Sequence, residues 1–367
     1  MRFSLGPHGP HIHESSHVNN LAEASPALQV RVMTSHDTER WDKFVYASPA
    51  ATFFHRTGWK EVIERAFGHP THFLLAEENG MIRGILPLAE INSRLFGHSL
   101  SSLPFCVYGG IVASTEPARK ALDEAAQILA AKLSVDFLEY RNITPFHTEW
   151  PRKDLYVSFR KIIEPDVEAN MLAIPRKQRA MVRKGIKNDL ISEIDEDVER
   201  FFSVFADNVH RHGTPALSKR YFALLKEIFG DDCEILSVVK NGVILSSVLS
   251  FYFRDEVLPY YAGDTVDARN YAANDFKYWE LMRRACERGI KIFDYGRSKR
   301  GTGPFDFKKN WGFEPQPLHY EYHLIRAKTV PDTNPLNPKY QLFIKLWQKL
   351  PLPVANWLGP HIVKNLG

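Results

Sequence analysis

Little in the sequence would tie it to a disulfide framework, a membrane span or a polyanion. Three cysteines, Cys106, Cys233 and Cys286, are scattered through 367 residues and form no Cys-x-x-Cys pair. That excludes a disulfide scaffold and a structural zinc site, and it predicts a reducing, cytoplasmic setting. No run of about 18 apolar residues exists, so no segment reads as membrane-spanning. Basic and acidic residues nearly cancel, 47 against 43 for a net charge of +4, so no DNA-binding role is expected. The familiar catalytic signatures are missing too: no GxxxxGK[ST] loop, no GxSxG elbow, no HExxH pair and no strand–GxGxxG–helix unit. The chemistries left are those in which a fold orients two substrates and supplies hydrogen bonds, without a conspicuous nucleophile.

What is present is a repeated order of elements. The helical stretch "RTGWKEVIERAF" precedes two apolar runs joined at Glu78-Asn79-Gly80; "SKRYFALLKEIF" precedes two more joined at Lys240-Asn241-Gly242. Asn-Gly between apolar runs signals a tight hairpin. Each hairpin is followed by a third strand, a long helix and a further strand, opened by Phe137 in one copy and Phe293 in the other. The pattern predicts a doubled α/β fold of mixed sheets. It divides into a disordered leader over 1–29, a first domain over 30–165, a second over 166–328 and a linker with an amphipathic tail over 329–367. The leader histidines His8, His11, His13 and His17 lack any carboxylate or cysteine framework, so no metal site is assigned.

Three stretches carry candidate chemistry. Between the copies, Arg176, Arg179 and Arg183 recur at helical steps with further lysines among them, giving either a solvated basic helix or a phosphate-binding face. In the second copy Arg269, Asn270, Ala272 and Asn274 sit at a helix mouth, where free N–H groups suit an anion; simple capping by Asn274 or Asp275 is the alternative. In the tail, Leu342, Phe343, Leu346, Trp347 and Leu350 fall on one helical face with Lys345 and Lys349 elsewhere on the turn. That face either docks on the protein's own surface or makes a peripheral membrane contact over residues 340–366, which would seat the protein at the inner membrane surface.

Two α/β copies with a basic helix between them, the "FDYG" strand and the "FKKNWGFEPQP" ending resemble the FemAB-like branch of the GNAT acyltransferases, in the form found with bacterial exosortase (PEP-CTERM) and exopolysaccharide systems. The resemblance implies tandem GNAT-like domains. It also implies attack by an amine on an activated acyl group, with acyl-CoA or aminoacyl-tRNA as co-substrate, tRNA as a partner, and no permanently bound cofactor. The acceptor would be an amino group of a cell-envelope precursor. On this basis Lys308, in the Phe307-Lys308 pair, faces the donor end of the cleft. Asp264 orients or deprotonates the amine, and Tyr261 returns a proton to the leaving group. Arg269, Asn270, Ala272, Asn274, Arg297 and Ser298 hold the donor. His55, Arg56 and Trp59 of "FFHRTGW", Tyr108, and the bases Arg176, Arg179 and Arg183 serve the acceptor. The donor loop has Ala272 and Asn274 where CoA-type enzymes carry the glycines of Arg/Gln-x-x-Gly-x-Gly/Ala, a departure that counts against CoA. Three readings stay open: transfer to an envelope precursor, acyl-CoA-dependent acetylation of a small amine or amino sugar, and a non-catalytic module with a degenerate donor site.

Overall fold

The computed structural model describes residues 28–94, 96–330 and 338–367; the leader histidines lie outside the described residues. Two mixed sheets carry the chain. The first runs in the order β1 (Gln29–Val32), β2 (Thr71–Glu78), β3 (Met81–Ser93), β4 (Gly97–Ser101), β6 (Phe137–Asn142), β16 (His319–Leu324) and β7 (Arg152–Lys153), with β5 (Val112–Ala113) on β3. The second runs β14 (Ser298–Lys299), β8 (Tyr156–Ile162), β13 (Ile292–Asp294), β12 (Glu256–Asp264), β11 (Val243–Phe253), β10 (Cys233–Lys240) and β9 (Ile191–Asp195), with β15 (Pro315–Pro317) on β8. Helices α1 (Thr38–Ala47), α2 (Gly58–Phe67) and α3 (Glu116–Leu133) belong to the first copy. The second holds α4 (Val167–Ala173), α5 (Arg176–Lys187), α6 (Glu199–Arg211), α7 (Lys219–Phe229), α8 (Ala268–Tyr271), α9 (Ala273–Glu287) and α10 (Gly303–Asn310). The tail forms α11 (Pro338–Trp347) and α12 (Leu352–Val363).

The repeat is real in three dimensions. Both Asn-Gly turns form, with φ of 54° and 71° at Asn79 and Gly80 and 50° and 77° at Asn241 and Gly242. These left-handed values twist the hairpin the way its strands twist, which Asn and Gly tolerate best. Each hairpin carries a register shift, at Ala76/Glu77 and at Val238/Val239. In each copy the third strand pairs in parallel with the strand after the long helix: β4 with β6, and β12 with β13.

The division between domains differs from the expected cut at 165/166. β8 precedes that cut yet pairs with β13 in the second sheet, and β16, from the end of the second copy, pairs with β6 in the first. Each sheet is completed by a strand from the other half. Aromatic packing welds the halves further. Phe53, Phe54 and Trp59 meet Phe229, Phe251 and Tyr260, with the Phe53 and Phe251 rings stacked at 4.4 Å. Large buried rings contribute several kcal/mol each to such a seam. A fragment ending at residue 165 therefore lacks β16 and strands β8 without a sheet. Expressed alone it is expected not to fold, and a dispersed NMR spectrum from it would contradict the strand exchange.

Candidate active site

The site grows from a defect in the second sheet. β12 and β13 pair only at Glu256–Ile292 and Val257–Phe293, then part. Two residues on, Pro259 offers no N–H to a ladder, and between Leu249 and Ser250 the register slips so that Tyr260 is left over as a bulge. A bulge re-aims side chains and backbone at a strand that has lost a neighbour. The result is a wedge with half-buried walls: Tyr260, Tyr261 and Ala262 on β12, and Arg297 just past β13.

Lys308 of α10 stands at the exit of β13. Its Nζ donates to the carbonyls of Tyr295 at 2.6 Å, Gly296 at 3.2 Å and Arg297 at 3.3 Å. Burial pushes its amine down to about 7, opposed by the nearby Asp294 charge. Burial favours the neutral amine and the carbonyl cage favours the ammonium, so the group is poised to hold or lose its proton near neutral pH. All three of its donors are satisfied by backbone. Lys308 is thus a positioning residue that shapes the wedge and sets its charge, where the sequence placed it on the donor directly.

Asp264 closes β12. Its Oδ1 accepts from Lys277 at 3.0 Å and from Ser246, and no bond to Oδ2 is found among the described residues. Lys277 is wholly buried, so its charge requires that carboxylate. Asp264 is about one-third exposed, which leaves one oxygen for an incoming ammonium. The Tyr261 hydroxyl lies 2.9 Å from that of Tyr221, and burial raises its pKa, keeping it a proton donor.

The stretch expected to hold the donor forms α8 and the mouth of α9. Arg269 and Asn270 are exposed and Asn274 half-buried, while Ala272 is buried in the left-handed region at φ 60°, a strain that glycine would not carry. Asp275, in the first turn of α9, accepts from Trp311 Nε1 at 3.0 Å, and burial raises its pKa. Two acids, Asp264 and Asp275, therefore flank the helix mouth, which opposes a pyrophosphate there. Ser298 is buried in β14 with its hydroxyl unpaired. The Arg297 guanidinium lies over the rings of Tyr156 and Tyr320 and donates to the Tyr320 hydroxyl at 3.3 Å. No carboxylate pairs with it among the described residues, so it is a cation available to an anionic or carbonyl group.

The acceptor assignments need correction. His55 is buried, tied to Thr52 and to the Gly110 carbonyl, and burial lowers its pKa to about 4; it is a neutral cap. Trp59 is fully buried in the aromatic seam. Arg56 pairs with Asp232 at 2.8 Å and lies over Phe53 and Phe229, bridging the halves. Tyr108 is buried as well, donating to Asp294 at 2.7 Å and lying 2.5 Å from Ser158 Oγ. These four build the interdomain seam. Arg176, Arg179 and Arg183 lie on α5, whose Gly185 packs against Phe276 of α9. They flank the donor helix and not the first copy; Arg176 and Arg183 are exposed, and Arg179 donates to the Leu172 carbonyl.

Several members were missed. Asp294 is wholly buried and receives Tyr108, Ser158 and the Gly296 N–H. Glu256 lies beside it, paired with Arg160. Burial and the Asp294 charge push the Glu256 carboxyl up to about 7. Lys277, Ser246 and Tyr221 were also passed over. Lys277 had a signal: it shares the inward face of α9 with Ala273, Phe276 and Leu281, and a lysine on an apolar stripe announces a buried partner. Among the described residues no three His, Cys, Asp or Glu side chains gather to hold a metal ion.

The site is thus a parted pair of parallel strands, a bulge facing the gap and a helix opening at its mouth. Residues 173–309 match the family model described as an acetyltransferase (GNAT) domain. The fold is similar to that of FemX, at TM-score 0.66 and 14% identity, covering 86% of this chain and 100% of that one. A tandem GNAT protein from the clavulanic acid biosynthesis pathway aligns at TM-score 0.54 and 11% identity, covering 83% and 100%. The C-terminal domain of a putative lysylphosphatidylglycerol synthetase from Agrobacterium fabrum aligns at TM-score 0.54 and 15% identity, covering 78% and 91%. No curated protein matches the sequence. By fold the chain is similar to FemX and to tandem GNAT proteins, and its residues 173–309 carry the match to an acetyltransferase (GNAT) domain.

Proposed function

We propose that the protein forms an amide, transferring an activated acyl or aminoacyl group to an amino group of a cell-envelope precursor: a peptidoglycan peptide, an amino sugar or an exopolysaccharide unit. The observation that carries this reading is the wedge, where the bulge at Tyr260 and the open oxygen of Asp264 share one strand. Backbone N–H groups at such a bulge can stabilise the oxyanion of a tetrahedral intermediate. Asp264 Oδ2 accepts the incoming ammonium and takes its proton. The nitrogen attacks the carbonyl carbon, a C–N bond forms, and the donor's C–O or C–S bond breaks. Tyr261 supplies the leaving oxygen or sulfur with a proton and is restored by the second proton that the nitrogen sheds as the amide forms. Arg297 faces the charge that develops.

An aminoacyl ester suits the donor loop best. Asp275, beside the mouth of α9, would attract its free α-ammonium, and the exposed Arg176 and Arg183 beside α9 suit the phosphates of a tRNA. The acyl-CoA reading keeps one observation of its own, Arg269 exposed beside the first turn of α9. Among the described residues no helix is long and apolar enough to cross a membrane, and both donor classes are cytoplasmic compounds, so we place the reaction in the cytoplasm. Calorimetry with a non-hydrolysable aminoacyl-tRNA analogue and with CoA separates the donors. The analogue is expected to bind, with affinity that falls with salt and in an Arg176→Ala/Arg183→Ala variant. Micromolar CoA binding abolished by Arg269→Ala would replace this donor by acyl-CoA.

A further inference from the structure

The tail has two faces, and only one is used by the protein. On the inner side Trp347 and Ala355 are buried. A Cβ on Gly213 would meet Ile344, and one on Gly359 would meet the Ala216 carbonyl at 2.8 Å. Hydrogen bonds pin the same side: Gln348 donates to the Arg211 carbonyl at 2.8 Å, His210 meets the Trp347 carbonyl at 3.2 Å, and His69 meets that of Lys364 at 2.5 Å. The tail is held and cannot rotate its other side inward. That other side is apolar and open: Leu342 is 64% exposed, Leu346 57% and Trp357 68%, with Phe343 and Val354 also exposed. Exposed Lys345 and Lys349 stand among them without a carboxylate partner among the described residues. From Thr333 to Gly367 the sequence has four lysines and no aspartate or glutamate.

From this combination we infer that α11 and α12 dock the enzyme on an anionic lipid bilayer. Trp, Phe and Leu seat at the headgroup boundary, and unpaired lysines meet acidic headgroups. Charge decides against a second copy as the occupant, because lysine is depleted in protein–protein interfaces, whereas a surface rich in lysine and free of acid complements an anionic membrane. The inference does not depend on the donor. It gives the proposed acceptor a natural location, since a lipid-linked precursor would arrive in the same plane.

The test is co-sedimentation of the full chain with phosphatidylcholine vesicles, with and without about one-third phosphatidylglycerol. Partition is expected only with phosphatidylglycerol, weakened by salt, with a blue shift of tryptophan emission that Trp357→Phe removes. Leu346→Glu/Trp357→Glu is expected to reduce partition at least about tenfold. Each of Lys345→Gln and Lys349→Gln should reduce it about fivefold. Thermal melting should be unchanged, because all four side chains are exposed. No partition into anionic vesicles would overturn the inference, as would partition indifferent to Leu346→Glu/Trp357→Glu. Dimerisation abolished by that variant without vesicle binding would assign the face to a second copy.

Discussion

Replacing Lys308 with methionine is expected to lower turnover about a hundredfold while changing the acceptor's KM little, because a charge at the wedge acts on the transition state more than on binding. The same substitution should alter the pH dependence of stability. On folding, the Lys308 amine falls from an ordinary 10.5 to about 7. The unfolded chain then holds this proton more tightly, so wild-type stability rises with pH between those values and is lost as pH falls through about 7. Methionine removes that dependence. Between pH 10 and pH 6 the wild type should lose stability relative to the variant by on the order of 3–4 kcal/mol. In activity, the decline of kcat/KM above about pH 7 should disappear in the variant. Urea unfolding at both pH values and a pH–rate profile check this together. Unchanged turnover and a parallel pH dependence would remove Lys308 from the site.

Asp294→Ala should be severely damaging to the fold. Its two oxygens satisfy a hydroxyl from the first copy, a hydroxyl from the exchanged strand β8 and the Gly296 N–H. Removing it leaves three buried donors without acceptors, at a cost of about 3–5 kcal/mol. The loss should be larger at pH 5 than at pH 7. Burial and Asp294 raise the Glu256 carboxyl to about 7 from an ordinary 4.5, so its contribution is present below 4.5 and lost as pH rises through 7. At pH 7 the alanine also relieves repulsion between two carboxylates, which it cannot do at pH 5. Tyr108→Phe is the control: a cost of about 1–2 kcal/mol with the pH slope retained. Equal losses at both pH values for Asp294→Ala would refute the coupling to Glu256.

Much of this was legible where the information is local. The two Asn-Gly turns and their spacing exposed the duplicated sheet, because a tight hairpin demands those residues at those positions. Lys308 was singled out through the company it keeps in "FKKNW", although its three backbone bonds were not foreseen. The exchange of β8 and β16 was not legible: "YVSFRKI" and "HYEYHL" can pair with either sheet, and the choice is made by long-range packing. His55 and Trp59 misled for a related reason. A helix start with a histidine and a tryptophan looks alike facing a cleft or facing another domain, and here Phe229 and Phe251 of the second copy cover it. The carboxyl pair of Asp294 and Glu256 went unseen because the two residues lie 38 positions apart and meet only where β12 and β13 touch.

The most direct test of the account is a transfer assay. Purified protein would be incubated with an amino-sugar or peptide acceptor and either total aminoacyl-tRNA or acyl-CoA, and the acceptor followed by mass spectrometry. A mass increase equal to one acyl or aminoacyl group on the acceptor's nitrogen is expected, matched by release of free tRNA or CoA and strongly reduced by Lys308→Met. An acceptor of unchanged mass with both donors left intact would contradict it.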